Sequence, residues 1–105
     1  MAEFVTVARV SDFEEGAAKA FTVNGEMIAV VLCEGQFYAI NNICSHAYAE
    51  LHEGEVDTDE CTIECPLHGS QFSLETGRPR TLPAITPVET YAVHVVGDEI
   101  QVAVS

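Results

Sequence analysis

The sequence predicts an all-β fold. Alternating or β-branched runs typical of strands fill both ends of the 105-residue chain, as in EFVTVARV near the start and VETYAVHVVGDEIQVAVS at the end. Residue pairs that favour tight turns separate many of these runs: Asn24-Gly25, Glu34-Gly35 and Gly97-Asp98. Strong helix signals are confined to one short stretch.

In chain order, EFVTVARV is the first strand. The next segment, SDFEEGAAKA, is the helix-like stretch, with Ser11 or Asp12 as its N-cap. Gly16 interrupts it, so we expect a turn or two at most. KAFTVNGEMIAVVLCEGQFYAI then predicts three strands, and the residues after Pro87 predict a hairpin around Gly97-Asp98.

The middle of the chain has a different composition. Between Asn41 and Pro79 the predicted strands are shorter, and seven of the 17 acidic residues fall between Glu50 and Glu64. At this length one domain is expected. We interpret residues 41–79, approximately, as a small subdomain inserted into a β base that consists of residues 1–40 and 80–105.

Charge and hydropathy exclude several function classes. The formal net charge is −13, and no Lys or Arg occurs between residues 20 and 77, which argues against binding to nucleic acid or anionic membranes. The longest apolar run, Met27 to Cys33, is far shorter than the roughly 20 residues that span a bilayer. The first residues carry an acid where a signal peptide carries positive charge, so we expect a cytoplasmic protein.

Two Cys/His pairs are the strongest functional signal. Cys44 and His46 occur in CSH, and Cys65 and His68 occur in CPLHG after 18 intervening residues. Two thiolates and two imidazoles can hold a tetrahedral zinc ion, although zinc sites usually pair like ligands in each knuckle. Mixed pairs suit two neighbouring metals, with both cysteines on one iron and both histidines on the other.

The remaining cysteines and histidines have plainer interpretations. A disulfide framework is not expected, because the chain can build its own core. Cys33 ends an apolar strand and is expected to be a buried small hydrophobe. Cys61 shares a strand face with Cys65 in CTIEC and is expected to be structural. His52 and His94 lie outside both pairs and are expected to be ordinary surface or strand histidines.

The sequence from Gln36 to Val93 resembles the Rieske iron–sulfur proteins. CSH followed by CPLHGSQFSLETG is similar to their C-x-H and C-x-x-H signature, with QFYAINNICSHAYAEL before it and RTLPAITPVETYAV after it. The resemblance implies a Rieske fold, an antiparallel β-sandwich base with a small inserted cluster-binding subdomain. It also implies one [2Fe–2S] cluster per chain, bound by Cys44, His46, Cys65 and His68.

The resemblance also implies which kind of Rieske protein this is. Respiratory Rieske proteins have a disulfide between the cluster loops, at positions that are Ala49 and Leu67 here, so that bond is absent. A terminal oxygenase needs a further catalytic domain. The chain is therefore most similar to the small ferredoxins of bacterial aromatic-ring dioxygenase systems. Such proteins carry single electrons from an NAD(P)H-dependent, flavin-containing ferredoxin reductase to a Rieske terminal oxygenase.

We therefore expect a monomeric carrier that is not an enzyme itself, with no Ser/His/Asp set or paired carboxylates. The small Rieske subunit of an assimilatory nitrite reductase is the alternative, and a structural zinc domain is a further one. By resemblance, Ser70 donates a hydrogen bond to a cluster sulfur, and Phe72 stands where high-potential relatives have a tyrosine. We therefore expect a reduction potential at the low end of the Rieske range of roughly −150 to +300 mV.

Overall fold

The prediction of an all-β fold is confirmed. The computed structural model describes residues 3–45, 48–82 and 84–104. Its ten strands are β1 (Glu3–Arg9), β2 (Ala18–Val23), β3 (Glu26–Cys33), β4 (Gln36–Asn41), β5 (Val56–Asp57), β6 (Thr62–Glu64), β7 (Gln71–Ser73), β8 (Thr90–Tyr91), β9 (Val93–Val96) and β10 (Glu99–Val104). In these ranges the helical elements are two single 3₁₀ turns, Val10–Asp12 and Leu51–Glu53. Neither is long and apolar enough to cross a membrane.

The strands form three antiparallel sheets. The outer sheet has the order β1-β10-β9, the middle sheet has the order β2-β3-β4-β8, and the small sheet has the order β5-β6-β7. The predicted turns at Asn24-Gly25, Glu34-Gly35 and Gly97-Asp98 join β2 to β3, β3 to β4 and β9 to β10, as expected. The outer and middle sheets combine strands from both ends of the chain, whereas the small sheet uses only residues 56–73.

The middle sheet is covered on both faces, which explains the long apolar run in β3. Ile28 and Val30 pack with Ile100 and Val102 of the outer sheet in one core. The alternate residues of β3 point to the other face, where Ala29, Val31 and Cys33 join a second core with residues of the small sheet such as Ile63 and Phe72. A strand buried on both faces exposes neither face to solvent, so its sequence is continuously apolar.

Only the start of SDFEEGAAKA is helical, within the turn or two that the sequence predicts. The structure has one 3₁₀ turn at Val10–Asp12, which begins before Ser11, and the Asp12 carboxylate accepts a hydrogen bond from the Arg9 N–H at 3.1 Å. Ala18 already belongs to β2 and pairs with Val31 of β3. Cross-strand pairing with a buried neighbour therefore outweighs the helical propensity of the alanines.

Candidate metal centre

Each of the two predicted cysteine ligands begins a closed loop of six residues. The first loop, residues 44–49, follows β4 and is closed by a hydrogen bond from the Cys44 N–H to the Ala49 carbonyl at 2.9 Å. The second loop, residues 65–70, joins β6 to β7 and is closed by a bond from the Cys65 N–H to the Ser70 carbonyl at 2.7 Å. In both loops a hydrogen bond from the cysteine N–H to the carbonyl five residues later holds the cysteine at the base of the loop.

The two cysteines lie in the core, whereas the second loop's histidine faces outward. Cys44 is 4% exposed and Cys65 is fully buried, and both keep their thiols. They pack in the same core as Ile63 and Phe72. His68 lies three residues beyond Cys65 on the exposed part of its loop. His46, the predicted ligand on the first loop, lies outside the described residues.

A third loop, residues 79–87, holds the other two loops together. The Ala84 N–H donates to the Ser70 hydroxyl at 3.0 Å, and the Ser45 hydroxyl donates to the Thr86 carbonyl. The loop ends where Val88 packs on Gly77: the Val88 N–H donates to the Gly77 carbonyl at 2.9 Å. A side chain on Gly77 would place its Cβ 2.1 Å from the Val88 carbonyl oxygen, so this close approach requires glycine.

Ser70 and Phe72 occupy the positions that the sequence pattern emphasises after the second loop. Ser70 is fully buried, and its oxygen accepts the Ala84 N–H, so its hydroxyl proton can still be donated elsewhere. Donation to a cluster sulfur stays a prediction. Phe72 is fully buried in β7 opposite Ile63 and has no hydroxyl to contribute.

Asn42 anchors the first loop, a role that the sequence analysis missed. Its side chain is fully buried. The amide oxygen accepts the His52 N–H at 2.9 Å and lies 3.1 Å from the His52 ring Nδ1, and the amide nitrogen donates to Glu50 at 3.2 Å. The Leu51 N–H also donates to the Asn42 carbonyl at 2.7 Å. A polar residue two positions before a cysteine does not predict these hydrogen bonds, because its partners are 8 to 10 residues away.

The neighbouring Asn41 contacts Tyr91, whose pKa is raised. The Tyr91 hydroxyl donates to Glu26 at 3.0 Å and accepts from the Asn41 amide at 3.2 Å. Burial, together with the nearby carboxylates of Glu26 and Glu89, disfavours the phenolate and raises the pKa of Tyr91 to about 12. The hydroxyl thus stays protonated and links β8 to β3 and β4 at the start of the first loop.

Cys33 and Cys61 form a disulfide, a bond that the sequence analysis did not expect. Their Cα atoms are 5.9 Å apart although 28 positions separate them. Cys33 is buried, as expected, but it is a bonded partner rather than a simple hydrophobe. Cys61 lies in the turn before β6 with a φ of 51°, not on a strand face with Cys65. The bond brings together two sheets whose packing no local pattern reveals.

The donor set fits a two-iron cluster. Two buried thiols at matched loop bases, each followed by a histidine two or three residues later, provide two mixed ligand pairs. This is the pairing that a Rieske [2Fe–2S] centre requires.

Comparisons with known proteins agree with this donor set. The sequence profile of the Rieske [2Fe-2S] domain matches residues 3–92. The chain is 45% identical over 91 residues to the 3-phenylpropionate/cinnamic acid dioxygenase ferredoxin subunit of Escherichia coli K12, covering 87% of this chain and 84% of that one.

Solved structures of the same kind are also similar. The ferredoxin of carbazole 1,9a-dioxygenase from Nocardioides aromaticivorans IC177 has 42% sequence identity and a TM-score of 0.92, over 94% of this chain and 95% of that one. A chain in the complex of reduced oxygenase and oxidized ferredoxin in carbazole 1,9a-dioxygenase has 36% identity and a TM-score of 0.89, over 95% and 92% of the two chains. Both similarities extend over nearly the whole fold.

Proposed function

Because the chain belongs to the Rieske [2Fe-2S] domain family, we propose that it is the one-electron carrier of an aromatic-ring dioxygenase system. It receives electrons from a flavin-containing, NAD(P)H-dependent reductase and delivers them to a Rieske terminal oxygenase. The relatives at 42% and 45% identity are named as ferredoxins of dioxygenases that act on aromatic compounds, which supports this role. The proposal includes a monomer in the cytoplasm with no active site of its own.

The ligands in this proposal are Cys44 and Cys65 on one iron and His46 and His68 on the other. When bound, the cluster supplies a reversible one-electron couple. The chain's part is to hold two thiolates in a dry core and to keep an imidazole at the surface. Two thiolates with neutral imidazoles carry less negative charge than four thiolates, so this ligand set accepts an electron more easily than an all-cysteine set. The subdomain boundaries at about 41 and 79 belong to the same proposal.

The observation that carries the proposal is the surface around His68. Four large apolar side chains on the three loops are between 62% and 82% exposed: Tyr48, Leu67, Leu82 and Ile85. We call the surface that these residues form with His68 the tip. The Ala84–Ser70 and Ser45–Thr86 hydrogen bonds join these loops, and exposed apolar side chains on adjoining loops are typical of a contact surface for a partner protein.

Acidic residues surround the small sheet beside the tip. Glu53, Glu55 and Asp57 are exposed, and Glu60 forms a surface ion pair with Arg80 at 3.6 Å. Such an acidic surface accelerates association with a basic partner. We expect a transient interface of less than about 1,200 Å² in total, with apolar contact at the tip and charge steering around it.

Anaerobic stopped-flow mixing tests the function. The reduced protein is mixed with an oxidised Rieske terminal oxygenase and, separately, with the flavoprotein subunit of an assimilatory nitrite reductase. Rapid oxidation by the oxygenase, slowing as salt rises from about 0.01 to 0.5 M and the Debye length falls from about 30 Å to about 4 Å, supports the proposal. Oxidation by the nitrite reductase subunit alone would replace it with the nitrite reductase role. A rate that does not depend on salt would refute electrostatic steering by the acidic surface.

A further inference from the structure

The Cys33–Cys61 disulfide joins the middle sheet to the small sheet, a few residues before the proposed ligand Cys65 in sequence. Cys33 is the last residue of β3 in the middle sheet and is fully buried, whereas Cys61 precedes β6 in the small sheet and is half-buried. After β6 the chain continues directly into Cys65. The bond therefore ties the strand that carries one proposed ligand to the middle sheet.

The 28-residue span between the two cysteines contains the other proposed cysteine ligand. It includes β4, the first loop with Cys44, and β5. Opening the bond would let the small sheet separate from β3 more often, since a cross-link restricts the excursions of everything within its span. The shared core of residues such as Ile63 and Phe72 would still hold the fold together. The consequence would be looser retention of the cluster rather than global unfolding.

The surroundings of the bond accept the reduced state as well as the oxidised one. The Thr58 carbonyl oxygen lies 3.4 Å from the Cys33 sulfur and 3.9 Å from the Cys61 sulfur, so an acceptor is already in place for a thiol proton on Cys33. Thr58 itself packs against Gly16, with its methyl 3.3 Å from where a Cβ on Gly16 would lie. After reduction the Cys33 thiol therefore has a hydrogen-bond acceptor within reach.

We propose that Cys33 and Cys61 are a thiol–disulfide exchange site whose state sets how firmly the chain holds its cluster. The reactant is a protein or small-molecule dithiol. One thiolate of the dithiol attacks the half-buried Cys61 sulfur, and the Cys33 sulfur leaves as a thiolate that takes up a proton. The second thiol of the reductant then displaces Cys61, which is also protonated. Two electrons and two protons pass to the chain, and the reductant leaves as a disulfide.

A reducing compartment favours an exchangeable disulfide over a permanent structural one. Disulfides in reducing compartments are usually transient and redox-sensing, and the proposed function places the chain in such a compartment. Because Cys33 and Cys61 are distinct from the four proposed ligands, the exchange site goes beyond the electron-carrier role. The exchange site is tested by thiol state and iron release, whereas the electron-carrier role is tested by electron transfer. Either proposal can therefore fail while the other holds.

The test uses the holoprotein with dithiothreitol as the dithiol. Wild-type protein and the Cys33→Ser/Cys61→Ser double variant are incubated anaerobically with and without dithiothreitol, denatured, alkylated and weighed by mass spectrometry. In parallel, iron release to a chelator is followed by loss of visible absorbance. We expect two alkylated cysteines in untreated wild type and four after treatment. Iron release should be about tenfold or more faster in the treated wild type.

The double variant separates exchange at this site from direct attack on the cluster. It should release iron at the fast rate with or without dithiothreitol, because it has no bond to open. Four alkylated cysteines in untreated wild type would overturn the proposal, as would equal iron release from treated and untreated wild type. If the double variant does not fold, the comparison of treated with untreated wild type, with alkylation as the measure of bond state, decides the question alone.

Discussion

Replacing Ile85 with alanine should weaken docking at the tip without destabilising the protein. The Ile85 side chain is 80% exposed and lies on the third loop, where it contributes little to the core. Leu82, on the same loop, is 78% exposed and should respond in the same way. Both substitutions remove apolar surface that only a partner would bury.

The size of the effect follows from this exposure. Ile85→Ala removes three carbons, each worth about 0.8 kcal/mol when fully buried. Four-fifths of the side chain is exposed in the free protein, so docking can bury at most about 2 kcal/mol of the lost surface. Incomplete burial at a transient interface gives about 1–2 kcal/mol, which corresponds to roughly 5- to 30-fold weaker association.

The assay is stopped-flow oxidation of the reduced protein by excess Rieske oxygenase, with the rate followed as oxygenase concentration rises. Ile85→Ala should require higher concentrations for the same rate, while its reduction potential and thermal midpoint match wild type. Val96→Ala is the matched control, because Val96 is 56% exposed but belongs to β9 of the outer sheet, away from the three loops. Equal concentration dependence for Ile85→Ala and wild type would refute docking at the tip, and so would an equal loss in Val96→Ala.

Two further predictions concern the interior. Ser70→Ala should lower the reduction potential by about 40 mV, the value of one hydrogen bond of about 1 kcal/mol, while Phe72→Tyr should raise it. Ser70→Ala also leaves the buried Ala84 N–H without its acceptor, which should lower the free energy of unfolding by about 1–3 kcal/mol. As a control, Ser73→Ala in the same strand region should leave the reduction potential unchanged. Because the pKa of Tyr91 is raised from 10.0 to about 12, the contribution of Tyr91 to stability should be constant below pH 10 and fall as pH rises toward 12. Between these pH values the unfolding free energy of Tyr91→Phe should lack the fall that Tyr91 causes. An identical fall in the variant and in wild type would contradict a raised pKa at Tyr91.

The strands could be predicted because their signals are local. The run in β3 and the turn pairs at Asn24-Gly25, Glu34-Gly35 and Gly97-Asp98 depend on neighbours in sequence, and all three turns are confirmed. The stretch SDFEEGAAKA is helical only as far as Asp12, because long-range pairing limits it. Ala18 is drawn into β2 by its pairing with Val31, a residue 13 positions away.

The candidate site divides in the same way. The spacing of Cys44, His46, Cys65 and His68 is visible in the sequence, and the structure places Cys44 and Cys65 at matched loop bases. The supports of these loops depend on long-range packing. The third loop reaches Ser70 across 14 positions, and Cys33 bonds Cys61 across 28. No pattern of residue types reports such distances, so these contacts could be found only in the folded chain.

The central claim is that each loop gives one cysteine and one histidine to a [2Fe–2S] cluster. Pulsed EPR on reduced protein carrying isotope-labelled histidine measures this most directly. We predict two irons and two sulfides per chain, with hyperfine couplings to two histidine nitrogens, and the same two couplings in Cys61→Ser. His68→Ala should lose one coupling or the cluster. Colourless protein with one zinc per chain, or a reduced cluster with no histidine coupling, would contradict the claim.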